Sequence, residues 1–159
     1  IIAVCENSIE SLSEGAGAIA LSLKDAHFER HEMQQFLEMD EMRQNKNMAI
    51  PVIKSKENRF YLLSGHIQAS KSYFRITISD TGQGIFPEVL PNVLDPFFTT
   101  KNRDKPAGLG LSSVHGTVLS YDGAIIVESE VGVGTAVHLF LPQYIRDEST
   151  LTELGDMAA

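Results

Sequence analysis

The sequence predicts an α/β (α+β) two-layer sandwich, a mixed, mostly antiparallel sheet with helices packed on one face, and three observations predict it. Apolar residues recur at helical spacing in 1–13 and 109–121. They alternate, or run in short apolar stretches, in 18–23, 73–80, 124–129 and 135–141, as strands do. The resulting order is helix, strand, insert, strand, loop, helix, strand, strand, with no internal repeat, and 159 residues at 43% hydrophobic content suit a single domain.

Each element has a local reason. In the first helix Ile1, Cys5, Ile9 and Leu12 fall on one stripe at steps of four, four and three, Ala3, Asn7 and Glu10 line a neighbouring face, and Gly15 and Gly17 stop the run. Ile19, Leu21 and Leu23 then alternate as a strand. The stretch 24–71 mixes a charged, Met-rich segment with short apolar runs at 50–53 and 60–63; it is read as a helix near 28–43 followed by hairpin-like chain, because so long a structureless connection is unusual in a compact domain.

Phe74, Ile76 and Ile78 alternate with Arg75, Thr77 and Ser79, and this strand runs straight into Asp80-Thr81-Gly82-Gln83-Gly84. Leu111, Val114, Val118 and Tyr121 form the stripe of the second helix, which stops at Asp122-Gly123. Two strands joined by Glu130-Val131-Gly132-Val133-Gly134 follow, and Gln143 to Ala159 reads as an acidic tail or linker, so the domain is expected over 1–142 and the tail over 143–159.

Composition removes several function classes. A single cysteine leaves no intramolecular disulfide, and no apolar run approaches the ~18–20 residues that span a bilayer. The chain is therefore expected to be soluble and cytoplasmic, without membrane contact of its own even if its parent is anchored. With 21 Asp+Glu against 13 Lys+Arg and a net charge of −8, bulk electrostatics oppose nucleic-acid binding. A phosphate-bearing ligand must then be held locally by backbone amides, a metal ion or a small basic cluster. The start at Ile1, with neither Met nor a signal peptide, reads as a fragment.

Glycine lets backbone approach a ligand and aim N–H groups at it. Gly82-Gln83-Gly84 and Gly108-Leu109-Gly110 are followed three residues on by Pro87 and Ser113, so the dinucleotide fingerprint fails, and no P-loop is present. What remains is a strand ending in D-x-G-x-G and a G-L-G-L run opening a helix whose N-terminal amides can take anionic oxygen.

Four segments in this order resemble the ATP-binding domain of sensor histidine kinases, in the superfamily that also holds the gyrase, mismatch-repair and heat-shock chaperone ATPases. V-C-E-N-S-I-E-S-L at 4–12 resembles the family's Asn-bearing helix, D-T-G-Q-G-I at 80–85 its first glycine box, D-P-F-F-T-T-K at 95–101 its phenylalanine box and G-L-G-L at 108–111 its second glycine box. G-V-G-T-A-V-H-L-F-L-P at 132–142 is similar to its final strand.

The resemblance implies a Bergerat-type fold, ATP and Mg2+ as cofactors, and a role for each box. Asn7 would complete an octahedral Mg2+ shell, as the metal ligand of the site. Asp80 would accept a hydrogen bond from the adenine amino group. Gly82 and Gly84 would let the backbone pass the base, with Ile85 against its flat face. Phe97 and Phe98 with Thr99, Thr100 and Lys101 would begin a lid, locally basic through Lys101, Arg103 and Lys105. Gly108, Leu109, Gly110 and Leu111 would hinge that lid and start the phosphate-facing helix, with Ser112 and Ser113 able to add hydroxyls, and the Thr135 hydroxyl would help order water at the adenine. One of Phe97 and Phe98 is expected in the core.

No catalytic residue is expected in this stretch, because the resemblance implies a phosphoacceptor histidine on a separate dimerisation domain, with a response-regulator receiver domain downstream. The acidic tail would suit a link to such a receiver in a hybrid kinase. Ala3 stands where chaperone-type relatives carry a water-activating glutamate, which favours phosphotransfer over hydrolysis. Two other readings remain: an ATP-hydrolysing conformational switch of the same superfamily, and a nucleotide-free interaction module. His27 and His31 lack a third ligand and read as a solvated face. His66, His115 and His138 have no partners in sequence, and Cys5 reads as packing.

Overall fold

The computed structural model describes residues 1–12, 17–27, 52–54, 59–68, 71–100 and 108–144. In chain order these form α1 (Ile2–Ser11), β1 (Ile19–His27), β2 (Val52–Lys54), β3 (Phe60–Gly65), β4 (Ser72–Asp80), a 3-10 turn (Leu90–Asn92), α2 (Gly110–Ser120), β5 (Ala124–Glu130) and β6 (Gly134–Pro142). The six strands form one sheet in the order β1-β4-β6-β5-β3-β2, and every described pairing is antiparallel. β2 and β3 fall within the stretch 24–71, as does the end of β1. The helix expected near 28–43 and the tail from 145 lie outside the described residues.

Register explains the core. Ile78 faces Val137, Val137 faces Val127 and Val127 faces Leu62, so one apolar row crosses four strands on the face that the helices cover. Val4 of α1, Val118 of α2, Leu90 and Leu94 close over it, all buried. Each such side chain contributes about 1.5–3 kcal/mol by leaving water.

The buried stripe of α1 differs from the expected one. Val4 and Ser8 are buried, whereas Ile1 and Ile9 remain 52% and 60% exposed. Periodicity alone rotated the helix by about one residue, because it ranked Ile above Ser and could not see that α1 turns a polar edge toward a cavity. Cys5 does pack beside the core. In α2 the expected stripe holds through Val118, but Tyr121 lies beyond the last turn and is 61% exposed. In β1, Ile19 packs on the core while Leu21 and Leu23 stay exposed, because β1 is an edge strand that neither helix reaches fully.

The opposite sheet face carries a smaller cluster of Leu63, Ile67, Tyr73, Ala124, Ile126 and Phe140. Beside it Glu128 accepts from Arg59 at 2.7 Å and lies 3.4 Å from the His138 ring, which also meets Thr77 at 2.9 Å. Among the described residues no helix is long and apolar enough to cross a membrane.

Candidate functional site

Asp80 ends β4 on the helix-covered face, opposite Thr135 of β6. Its Oδ1 accepts the Gly82 N–H at 2.9 Å and the Thr135 N–H at 3.3 Å, which leaves Oδ2 for a ligand. The turn after it is wedged between two elements. Gln83 donates its N–H to the Ser11 carbonyl of α1 at 3.2 Å, and its own carbonyl accepts from Gly132 at 2.8 Å. A Cβ on Gly82 would strike Ser11, and one on Gly84, whose φ is +71°, would strike the Glu130 carbonyl. Only glycine permits that fit.

On the far side the chain returns through the Phe97-Phe98 segment. Phe97 adopts φ 66° and donates its N–H to the Gly108 carbonyl at 2.9 Å, so both ends of the 98–107 stretch are pinned together. Gly110 then opens α2 against α1, where an added Cβ would lie 3.3 Å from the Ala3 Cβ and 4.0 Å from Asn7 Nδ2.

These elements enclose a cavity of about 440 Å³. Of the residues expected at a site, Asn7, Asp80, Gly84, Ile85, Phe98, Thr100, Gly108, Gly110, Leu111 and Thr135 line it. Gly82 does not line it but supports Asp80 from behind. Leu109 points into a second, largely apolar groove with Ile1 and Tyr121, where it is 51% exposed. Lys101, Arg103 and Lys105 lie outside the described residues. Phe97 is 75% exposed and Phe98 faces the cavity, so neither is a core residue, contrary to expectation; the positive φ at Phe97 turns its ring outward. Ser112 directs its hydroxyl at the Gly108 and Leu109 carbonyls and Ser113 faces the second groove, so neither adds a donor to the cavity.

Sequence reasoning did not single out Ser8, Ser11, Gln83 and Ser129 for the site. The first three line the cavity, as does Thr99 of the expected lid start, and Ser129 lies beneath it, accepting the Ile85 N–H at 2.8 Å. A turn-by-turn reading of α1 at 4, 8 and 11 would have found the first two.

Among the described residues no three His, Cys, Asp or Glu side chains gather as a metal site. The cavity nonetheless offers oxygen donors suited to a hard cation beside a polyphosphate, from Asn7 and Glu10 of α1 and from the Thr99 and Thr100 hydroxyls. Two of the histidines read as unpartnered are structural: His115 bonds Ser64 at 2.8 Å, tying α2 to β3, and His138 bonds Thr77 at 2.9 Å on the opposite sheet face. Burial holds the His138 imidazole below its ordinary range against the opposing pull of Glu128.

Residues 53–145, more than half of the chain, match the family described as histidine kinase-, DNA gyrase B- and HSP90-like ATPase. The chain is 45% identical over 76 residues to sensor kinase CckA of Brucella abortus (strain 2308), covering 48% of this chain and 8% of that protein. It is 40% identical over 68 residues to sensor histidine kinase ZraS of Escherichia coli (strain K12), 43% of this chain and 14% of that one. With sporulation kinase D of Bacillus subtilis (strain 168) it shares 45% identity over 67 residues, 42% of this chain and 13% of that one. The chain thus spans less than a fifth of the length of these relatives.

Proposed function

Because the chain belongs to the family of histidine kinase-, DNA gyrase B- and HSP90-like ATPases, we propose that it is the ATP-binding catalytic domain of a sensor histidine kinase. The observation that carries this reading is the single cavity onto which Asn7, Asp80, Thr135 and the start of α2 converge from distant parts of the sequence.

ATP enters with its adenine between Asp80, Ile85 and Thr135 and its phosphates toward Asn7 and the N-terminus of α2. Asp80 Oδ2 accepts from the adenine amino group, while Ile85 and Val127 exclude water from the ring. The α2 amides complement anionic phosphate oxygens. Asn7, with Glu10 beside it, would hold Mg2+, which when bound neutralises phosphate charge. Lys101 adds a positive charge to the lid. These groups orient and neutralise, which is most of what phosphoryl transfer asks of a protein. The γ-phosphoryl is passed to an imidazole nitrogen of a histidine on a separate dimerisation domain, and from there to a response-regulator receiver domain, on the cytoplasmic side of the parent.

Phosphotransfer is favoured over hydrolysis by Ala3, which packs toward Gly110 at the helix crossing and leaves no carboxylate one helical turn before Asn7. Titration with a non-hydrolysable ATP analogue, with and without Mg2+, tests the reading. Saturable binding strengthened by Mg2+ is expected; no heat at millimolar nucleotide would reject it.

A further inference from the structure

Ser129 is 1% exposed, beneath the cavity wall on the face it shares with Thr135. Its hydroxyl makes three hydrogen bonds: from the Ile85 N–H at 2.8 Å, to the Gly134 carbonyl at 3.1 Å, and with the Thr135 hydroxyl at 3.1 Å. A serine hydroxyl has one proton and two lone pairs. An N–H only donates, so Ile85 takes one lone pair. A carbonyl only accepts, so the Ser129 proton goes to Gly134. One lone pair is left, and Thr135 must donate its proton to it.

We infer that Ser129 is a positioning residue that turns the Thr135 proton away from the cavity, so that Thr135 and Asp80 together present acceptors only to a bound purine and select a 6-amino over a 6-oxo base. This rests on the proposed nucleotide site. Thr135 lines the cavity, and its Oγ1 lone pairs are what remain to face it. Asp80 stands opposite with Oδ1 committed to two N–H groups and Oδ2 open. Adenine brings an amino donor to such a wall. Hypoxanthine or guanine brings a carbonyl, which would face two acceptors without a proton between them. Burial of Ser129 keeps water from taking over its role, so the proton direction is fixed before ligand arrives.

The test compares ATP with ITP, which differ at the 6-position, by calorimetry in Mg2+ on the full chain. Wild type is expected to prefer ATP. Ser129→Ala frees the Thr135 hydroxyl to rotate and donate, and should narrow the ITP-to-ATP ratio of Kd values by about tenfold, one hydrogen bond's worth of discrimination. Thr135→Val should narrow it similarly, Thr135→Ser should preserve it, and Ser129→Ala added to Thr135→Val should change it no further. If Ser129→Ala weakens both nucleotides equally, Ser129 is merely structural and the inference is overturned. A further narrowing in the Thr135→Val background also overturns it, since Ser129 would then not act through Thr135. Should Ser129→Ala fail to fold, Thr135→Val decides alone: an unchanged ratio overturns the inference. Failure of wild type to bind ATP would instead reject the nucleotide site itself, a result distinct from ATP binding whose selectivity ignores Ser129.

Discussion

Phe97 donates its backbone N–H to the carbonyl of Gly108 at 2.9 Å, with both residues at positive φ. This contact ties the Phe97-Phe98 backbone to the residue just before α2 and sets where that helix begins. It is costly local geometry, about 1–3 kcal/mol for a non-glycine residue, held by the structure around it.

Gly108→Ala should therefore do more than strain one residue. At φ +82° an added Cβ meets the Phe97-Phe98 backbone, which must then shift. The expected outcome is a stability loss of about 1–2 kcal/mol together with weakened ATP-analogue binding, read by thermal denaturation and calorimetry on the same sample.

The corrected face of α1 gives a paired prediction. Val4 is 1% exposed and Ile9 60% exposed. Val4→Ala should destabilise by about 2 kcal/mol, whereas Ile9→Ala should stay within about 0.5 kcal/mol of wild type. Urea denaturation midpoints distinguish this from the reverse order that the Ile1-Cys5-Ile9-Leu12 stripe implies.

The pH dependence follows from His138. Burial lowers its pKa from 6.5 in the fold, more than Glu128 raises it, and Arg75 adds to the lowering. Thr77 and Glu128 are its hydrogen-bonding neighbours, and Glu128 is shared with Arg59. A depressed folded pKa means that the unfolded chain binds the proton first as pH falls. The contribution is present above pH 6.5 and is lost as pH falls through the folded value. Stability should rise as pH is raised toward 6.5, with a slope of at most about 1.4 kcal/mol per pH unit from this group, and His138→Gln should remove that component from melting curves taken across the range.

Much of the fold is legible in the sequence because its signals are local. The alternation in Phe74-Ile76-Ile78 and the apolar run at Ala124-Ile125-Ile126-Val127 give β4 and β5 almost residue for residue. Asp122-Gly123 marks the end of α2, where Asp122 takes φ 54° and Gly123 donates back to the Val118 carbonyl at 3.0 Å. What escapes such reading is set by contacts between distant segments. Ser8 is buried because α1 meets the sheet there, and no period of apolar residues marks a buried serine. The site behaves likewise. Asn7, Asp80 and Thr135 stand out through their motifs, while Leu109, within the same G-L-G-L run as Gly108, turns to the other groove because consecutive residues at a helix start point in different directions. Ser129 has no motif of its own in the residues that carry the resemblance, and only the β5-β6 register brings it beneath Thr135.

Recognition of an adenine nucleotide by Asp80 is tested most directly by Asp80→Asn. Asparagine can keep the two backbone bonds that Oδ1 accepts from Gly82 and Thr135, so the turn should fold unchanged. Its amide nitrogen, however, would replace the open Oδ2 and set a donor against the adenine amino donor. Calorimetric titration of ATP in Mg2+ should show the variant, with an unaltered melting temperature, binding at least about tenfold more weakly than wild type. Equal affinity in the two proteins would contradict the account.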